Sequence, residues 1–133
     1  REAGRADRAP TILVVDDNRI AQQVIGALLG KNGWRHDTAR DGYEALEKAE
    51  RVQYQLVLMD LQMPGIDGLA TTKRLRLLPG YAAVPVLALT ADVSDQVRAR
   101  CRDAGMDAFL EKPIHTIELN AALAQFLTSP DGD

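Results

Sequence analysis

Short apolar runs alternate along this chain with segments whose apolar residues recur three or four positions apart. Five runs have the length, composition and flanking turn residues of strands, and they span 11–15, 34–39, 56–59, 85–89 and 107–111. The segments after them have the spacing of amphipathic helices, at Ile20, Val24, Ala27 and Leu28; Ala45, Leu46, Ala49 and Val52; Thr71, Leu75 and Leu78; Val93, Val97, Cys101 and Ala104; and Leu119, Leu123, Phe126 and Leu127. The pattern therefore predicts five strand–helix units in succession.

Turn and capping residues mark the boundaries of these units. Asn18 is a candidate N-cap for the first helix, and Gly33 is a candidate for its end. Turns are expected at 41–42 and 79–80, and Gly105 should end the fourth helix. The connections between elements are short, as they are in a single compact α/β domain.

Alternation of strands and helices predicts an α/β fold. Parallel strands need crossover helices, and these cover both faces of the sheet. Right-handed crossovers leave few topologies, and five units suit the order 2-1-3-4-5. We therefore expect a single doubly wound domain, with a five-stranded parallel sheet flanked by five helices (flavodoxin-like).

Composition narrows the classes of protein. A chain of 133 residues with 46% hydrophobic content is sufficient for one globular domain. The small and charged residues at 1–10 predict a linker or disordered tail. We expect the domain to span residues 11–127 and a C-terminal tail to span 128–133. The net charge of -3, with no basic stripe, argues against direct nucleic acid binding. No apolar run is long enough to span a membrane, so we expect no membrane contact by this domain. The single cysteine fits a cytoplasmic protein, which could still be tethered through a membrane-bound parent.

Acidic residues end two of the predicted strands. Asp16 and Asp17 follow the first strand and Asp60 ends the third, so the expected topology places all three at the carboxyl edge of adjacent strands. Crowded carboxylates repel one another, and Mg²⁺ relieves that repulsion while favouring a phosphoryl substrate. We interpret Asp60 as the nucleophile, with Lys112 and Thr90, at the ends of the last two strands, positioned to contact a phosphoryl group.

Four motifs resemble the receiver domain of two-component response regulators. They are Val-Val-Asp-Asp at 14–17, Met-Asp-Leu-Gln-Met-Pro-Gly-Ile-Asp-Gly at 59–68, Leu-Thr-Ala at 89–91, and Ala-Gly-Met-Asp-Ala-Phe-Leu-Glu-Lys-Pro at 104–113. The resemblance covers about residues 11–127. It implies that Asp60 accepts a phosphoryl group from a partner histidine. It also implies that Asp17, Asp16 (largely through water), Asp60 and the backbone carbonyl of Gln62 surround Mg²⁺.

The resemblance also implies a conformational switch. Thr90 and Lys112 would hold the phosphoryl oxygens, and Phe109 would follow Thr90 inward, changing the surface of the fourth helix, fifth strand and fifth helix. Tyr is common at the position of Phe109, so a switch here has no hydroxyl group and must depend on packing. Gln62 and Asp92 occupy positions that tune autodephosphorylation in this family. Such a domain assists its own phosphorylation and dephosphorylation but serves mainly in signalling.

A finer resemblance points to receivers of hybrid histidine kinases. It consists of Gln-Met-Pro at 62–64 and of Cys101 shortly before Ala-Gly-Met-Asp at 104–107. Such receivers take the phosphoryl group from a histidine kinase dimerisation/phosphotransfer domain and relay it to a histidine phosphotransfer protein. A stand-alone response regulator would have much the same sequence, so this alternative stays open.

Competing functions fit the sequence less well. A phosphatase of the haloacid dehalogenase type would need a second acid at Gln62, and a flavin-binding domain would need a phosphate loop where 16–18 is acidic. A degenerate receiver would lack one of the expected positions, and none is missing here. The histidines His36 and His115 are expected to be structural and Cys101 buried and inert. The arginines of the fourth helix are expected to form a solvated face, with partner docking as the less favoured alternative, and they are Arg98, Arg100 and Arg102.

Overall fold

Five segments of the chain form one parallel sheet. The computed structural model describes residues 11–127, so the expectations of a linker at 1–10 and a tail at 128–133 lie outside the described residues. The strands are β1 (Ile12–Val15), β2 (His36–Ala39), β3 (Leu56–Asp60), β4 (Val86–Thr90) and β5 (Ala108–Glu111). The helices are α1 (Arg19–Lys31), α2 (Gly42–Arg51), α3 (Gly68–Leu75), α4 (Asp95–Ala104) and α5 (Thr116–Phe126). The strand order is β2-β1-β3-β4-β5, which confirms the predicted fold.

The sheet divides the hydrophobic core into two layers. Every residue of β1, β3 and β4 is buried, as expected for central strands covered on both faces. Successive side chains point to opposite faces, so Leu13 and Val57 join one cluster whereas Ile12 and Leu56 join the other. The first cluster contains residues of α2, α3 and α4, and the second contains residues of α1 and α5. All five carboxyl ends are therefore left open at one edge of the sheet.

Polar side chains fix where most helices begin. Asn18, Asp41, Asp67 and Ser94 each accept a hydrogen bond from a backbone N–H in the first turn of the following helix. Asp67 is thus the N-cap of α3. Gly105 ends α4 with a φ of 100°, as predicted, because this left-handed conformation favours glycine.

The face predicted for α1 was wrong. The periodicity favoured a face containing Ile20 and Val24, but these side chains are 70% and 49% exposed. The helix instead buries Ile25 and Leu29 against the sheet. Both sets of residues satisfy helical spacing, and the direction from which α1 approaches the sheet decides between them. An apolar stripe is therefore left on the surface of α1.

Two buried tyrosines connect the amino-terminal ends of three strands. The hydroxyl of Tyr81 donates to the carbonyl of Val52 and accepts from the N–H of Tyr54. The hydroxyl of Tyr54 in turn donates to Asp37. Burial raises the pKa of Tyr54, and the hydrogen bond to Asp37 and its charge raise it further. These bonds tie the starts of β2, β3 and β4 together at the edge opposite to the carboxyl ends.

Arg76, directly after α3, extends this anchoring. Its guanidinium donates to the carbonyls of Tyr81, Val84 and Gly105 and pairs with Asp107 at 3.0 Å. Asp107 also accepts from the N–H of Val86 at 2.9 Å. The end of α4 and the starts of β4 and β5 are thus joined through one side chain. Within residues 11–127, no helix has the length and apolar character needed to cross a membrane.

Candidate functional site

Three carboxylates meet at the carboxyl edge of the sheet. Asp16 and Asp17 follow β1 and Asp60 ends β3, and the two strands are hydrogen-bonded neighbours. One oxygen from each carboxylate lies within 4.8 Å of the others. Asp16 and Asp60 are only 0% and 4% exposed, whereas Asp17 is open to solvent. The structure therefore brings together the acidic residues that the sequence singled out.

Lys112 reaches both buried carboxylates from the end of β5. Its Nζ lies 3.0 Å from Oδ1 of Asp60 and 3.4 Å from Oδ2 of Asp16. Burial raises the pKa of Asp60, and the charge of Asp16 adds to this effect although Lys112 opposes it. Burial alone would lower the pKa of Lys112, but its hydrogen bond to Asp60 and the charge of Asp16 outweigh burial and raise it. One ammonium thus faces two buried acids, so the cluster retains excess negative charge.

The two oxygens of Asp16 have different surroundings. Oδ1 accepts from the N–H of Asn18 at 2.9 Å. Oδ2 is a buried oxygen with no hydrogen-bond partner among the described residues, and only the ion pair with Lys112 at 3.4 Å compensates for its burial. A buried polar atom without such a partner is costly unless a ligand satisfies it. This orphaned oxygen indicates a site prepared for a cation.

These residues fit Mg²⁺. The ion prefers hard oxygen ligands, few carboxylates and several waters, and the cluster combines two buried acids with the exposed Asp17. The N–H of Gln62 lies 3.4 Å from Oδ1 of Asp60, which places the segment after β3 beside the carboxylate. The metal-binding role of the Gln62 carbonyl stays a prediction.

Gln22 is a supporting residue that sequence analysis missed. Its Nε2 donates to the backbone carbonyl of Asp16 at 2.6 Å and to that of Ala39 at 3.3 Å. It therefore fixes the end of β1 relative to the end of β2. A polar residue early in α1, on the turn that faces the strand ends, was the available signal.

The loop after β3 returns close to Asp60. The N–H of Gly68 donates to the carbonyl of Leu61 at 3.0 Å. A Cβ atom at Gly68 would lie 2.2 Å from the backbone oxygen of Asp60, a distance that backbone atoms do not tolerate. Only glycine allows α3 to begin so near the acidic cluster, and the position of Asp60 depends on this contact.

Thr90 ends β4, buried beside the site, with its hydroxyl engaged by the following loop. Its Oγ1 accepts from the N–H of Asp92 at 3.0 Å and lies 3.1 Å from the carbonyl of the same residue. Asp92 accepts from the N–H of Ser94 at 2.9 Å, and this backbone bond is the main cause that lowers the pKa of Asp92. In this arrangement Thr90 stabilises the loop between β4 and α4.

Phe109 lies in β5, half-buried against the core layer that contains α4. The guanidinium carbon of Arg98 lies 4.4 Å from the centre of its ring. Nε of Arg98 donates to the carbonyl of Val93 at 3.1 Å. Arg98 is exposed, as expected for the solvated face of α4, but its guanidinium also covers a ring on β5, a contact that could not be known from the helix alone.

The remaining residues singled out by the sequence have different surroundings. Cys101 is buried on α4 at 4% exposure, as predicted. His115 occupies the N-cap position of α5, although its side chain makes no capping hydrogen bond. The His36 ring lies beside Gly26 of α1, where a Cβ atom would meet its Nε2 at 2.7 Å.

An apolar groove borders the acidic cluster. It has a volume of about 530 Å³. Its lining combines polar site residues with apolar side chains of α1 and of the segments after β4 and β5, namely Asp16, Asn18, Ile20, Ala21, Val24, Ile25, Ala91, Lys112, Pro113 and Ile114. The exposed stripe of α1 thus continues directly into the candidate site.

Comparisons with known proteins identify the family of this chain. The family model of the response regulator receiver domain matches residues 12–124. The osmosensing histidine protein kinase SLN1 of Saccharomyces cerevisiae is 39% identical over 127 residues, which cover 91% of this chain and 10% of that protein. The signal transduction histidine-protein kinase BarA of Escherichia coli K12 is 34% identical over 118 residues, which cover 89% of this chain and 13% of that protein. The chain therefore spans only about a tenth of the length of these relatives.

Solved structures have the same fold. The receiver domain of the sensor histidine kinase PA1611 from Pseudomonas aeruginosa, described with a magnesium ion coordinated in its active site cleft, is 37% identical with a TM-score of 0.82. That comparison covers 90% of this chain and 98% of the other. The chemotaxis protein CheY4 of Vibrio cholerae is 29% identical with a TM-score of 0.86, over 90% of this chain and 100% of the other. The chain therefore belongs to the response regulator receiver domain family of two-component signalling, and it is homologous to the receivers of hybrid histidine kinases.

Proposed function

We propose that this domain is a phosphorylation-controlled switch in which Asp60 accepts a phosphoryl group from a phosphohistidine of a partner protein. The observation that carries the proposal is the placement of Asp60, buried at a strand end with Lys112 at 3.0 Å and two further acids beside it. A carboxylate held in this way is oriented for attack, and a cationic group is already in place for the charge of a transferred phosphoryl group.

The reaction makes one bond and breaks another. Lys112 and the N–H of Gln62 engage Oδ1 of Asp60, so we assign Oδ2 as the attacking oxygen. An O–P bond forms as the N–P bond of the phosphohistidine breaks, and the electron pair of that bond returns to the imidazole nitrogen. Mg²⁺ held by Asp16, Asp17, Asp60 and the carbonyl of Gln62 would neutralise charge on the phosphoryl oxygens. Little acid–base chemistry is then required of the protein.

The response to phosphorylation would begin at Thr90. Its hydroxyl would exchange its bonds to the Asp92 backbone for a phosphoryl oxygen, which releases the loop before α4. Phe109 lies on the neighbouring strand, opposite Ala88 of β4, and would move into the space that opens. This motion would change the surface formed by α4, β5 and α5.

The groove beside α1 supports a helical partner. The phosphohistidine must approach Asp60 from outside, and the groove that borders Asp16 and Lys112 is lined on its outer side by Ile20 and Val24. An amphipathic helix carrying the histidine would bury these apolar side chains as the ring reaches the site. We propose the dimerisation/phosphotransfer domain of a histidine kinase as the donor and a histidine phosphotransfer protein as the onward acceptor, with the domain acting in the cytoplasm.

Two alternatives differ in testable ways. A stand-alone response regulator would accept the phosphoryl group but would not pass it on to a histidine phosphotransfer protein. A phosphatase that uses Asp60 as nucleophile would need a general acid near Gln62, whose amide cannot transfer a proton. Release of phosphate from a simple phosphomonoester over many turnovers would favour the phosphatase.

Phosphoryl transfer to Asp60 can be measured directly. Incubation with acetyl phosphate and Mg²⁺ should add the mass of one phosphoryl group, and hydroxylamine should remove it because an acyl phosphate is labile to this nucleophile. Asp60→Asn should abolish the gain, because an amide oxygen is a poor nucleophile. Asp67→Asn is the matched control, since Asn also caps helices, and it should be phosphorylated like the wild type. An unmodified wild-type protein, or an equal gain in Asp60→Asn, would refute the proposal.

A further inference from the structure

One side chain on α4 contacts both moving parts of the proposed switch. The guanidinium of Arg98 lies over the ring of Phe109 at 4.4 Å. Its Nε also donates to the carbonyl of Val93, which lies in the loop between β4 and α4. The guanidinium is planar and carries several N–H groups, so it can cover a ring and donate to a carbonyl at the same time. Lysine has only a compact ammonium group and cannot easily make both contacts.

The same loop holds the hydroxyl of Thr90. Asp92 contacts that hydroxyl through its own N–H and carbonyl, and Val93 is the next residue. If Thr90 turns towards a phosphoryl group, the Asp92 contacts are lost and the carbonyl of Val93 is free to shift. Because Arg98 binds that carbonyl and covers Phe109, a shift of the loop would disturb the cover over the ring.

Because Phe109 has no hydroxyl, the contact with Arg98 matters more for the position of its ring. A tyrosine could fix its ring position with a hydrogen bond, whereas a phenylalanine ring is held by packing alone. The packing of Phe109 is incomplete, because the ring is half-buried at the edge strand β5. A cation over the ring face supplies an attraction worth about a two- to fivefold change in an equilibrium at an exposed site.

We propose that Arg98 is a positioning residue that holds Phe109 in its resting place and links it to the loop released by Thr90. Arg98 thereby favours the unphosphorylated arrangement and lowers the sensitivity of the switch. This inference rests on the proposed function. It adds a residue outside the acidic cluster that sets the balance between the two states.

Fluorine NMR can follow the ring selectively. The chain has two phenylalanines, Phe109 and Phe126, so protein labelled with 4-fluorophenylalanine should give two resonances, with Phe126 on α5 as the internal reference. In the absence of any phosphoryl mimic, Arg98→Ala should add exchange broadening at Phe109, detected by relaxation dispersion, because the ring samples a second position. Arg102→Ala removes an exposed arginine one turn further along α4 and should leave both resonances as in the wild type. A sharp Phe109 resonance in Arg98→Ala, or equal broadening in Arg102→Ala, would overturn the proposal.

Titration with beryllofluoride and Mg²⁺ tests the effect on the switch. Arg98→Ala should reach half-saturation at a mimic concentration about two- to fivefold lower than the wild type, and Arg98→Lys should lie between the two. Unchanged or weaker mimic binding in Arg98→Ala would refute the inference even if the ring becomes mobile. A wild type that does not bind the mimic would contradict the proposed function, and the measurement without mimic would then still decide whether Arg98 holds the ring.

Discussion

At the scale of single residues, the position of Asp60 is set from its backbone side as well as through its carboxylate. Lys112 and Gln62 hold the carboxylate, and Gly68 lies against the carbonyl of the same residue. The glycine has no side chain to contribute to binding. Its importance is that α3 can begin close enough for the loop after β3 to remain beside the site.

Alanine at Gly68 should damage both stability and the site. The new Cβ would meet the Asp60 carbonyl at 2.2 Å, so the loop or the strand end must move. We expect Gly68→Ala to lower the free energy of unfolding by about 1–3 kcal/mol and to slow phosphorylation by acetyl phosphate. Gly30→Ala in α1 is the control, since nothing lies within 4 Å of its Cβ position and the change should stabilise the helix by up to about 1 kcal/mol. Urea unfolding of both variants measures this, and equal stabilities would contradict the prediction.

At the scale of elements, α1 presents two apolar faces with different uses. Ile25 and Leu29 pack against the sheet, whereas Ile20 and Val24 remain exposed beside the groove. Isolated exposed apolar residues are common, but this pair is continuous with the candidate site. The helix can thus belong to the core and still offer a surface to a partner.

Truncation of Ile20 and Val24 on α1 should slow phosphoryl transfer from a partner protein but not from a small-molecule donor. The double variant Ile20→Ala, Val24→Ala should slow phosphorylation by a phosphohistidine domain by about tenfold, because less apolar surface would be buried when the two proteins dock. Phosphorylation by acetyl phosphate should stay at the wild-type rate, because the carboxylates and Lys112 are untouched. Leu77→Ala, which truncates a side chain that is 84% exposed and does not line the groove, serves as the control. Equal slowing with both donors would argue against a docking role.

Sequence patterns predicted the elements better than the contacts between them. The strand ends at Asp60 and Thr90 and the stop at Gly105 were readable, because turn residues and apolar runs are local signals. The predicted end of α3 near Leu78 was too late, since the helix ends at Leu75 and the chain turns at Arg76. The face of α1 and the ring beneath Arg98 depend on how elements approach one another, and periodicity carries no information about that approach.

The candidate site could also be predicted from local signals, because its residues lie where strands end. Asp16, Asp17, Asp60, Thr90 and Lys112 all lie at carboxyl ends of strands, and the topology alone brings such ends together. Gln22 was missed because its role consists of bonds to two backbone carbonyls, which leave no motif in the sequence.

At the scale of the whole molecule, the carboxyl edge of the sheet carries the candidate site, whereas the amino edge carries hydrogen bonds that stabilise the fold. The carboxyl edge holds crowded acids and an orphaned oxygen, which weaken the folded state until a ligand arrives. The amino edge carries the Tyr54–Tyr81 hydrogen bonds and the contacts of Arg76, in which each buried polar group has a partner. Stability is thus concentrated away from the site.

The buried tyrosines predict a loss of stability at alkaline pH. The pKa of Tyr54 in the folded state lies above its ordinary value of 10.0, so the unfolded chain loses the proton first. The contribution of the protonated Tyr54 hydroxyl to the free energy of unfolding is complete below pH 10. It is lost as the pH rises towards the folded-state pKa, by at most about 1.4 kcal/mol per pH unit. Urea unfolding at pH 8.5 and pH 11 should show a loss about 1 kcal/mol larger in the wild type than in Tyr54→Phe. Both proteins share the titration of lysines, so equal losses would exclude Tyr54 as the cause.

The direction of β1 has a consequence for any protein in which this domain is joined to another. The strand runs from Ile12 at the amino edge to Asp16 at the site, a span of about 13 Å at the usual rise of a strand. A donor domain attached ahead of Ile12 is therefore tethered at the edge opposite to Asp60. The length and stiffness of the tether, acting through effective concentration, would decide whether the donor in the same chain or one in a neighbouring chain reaches the acceptor first.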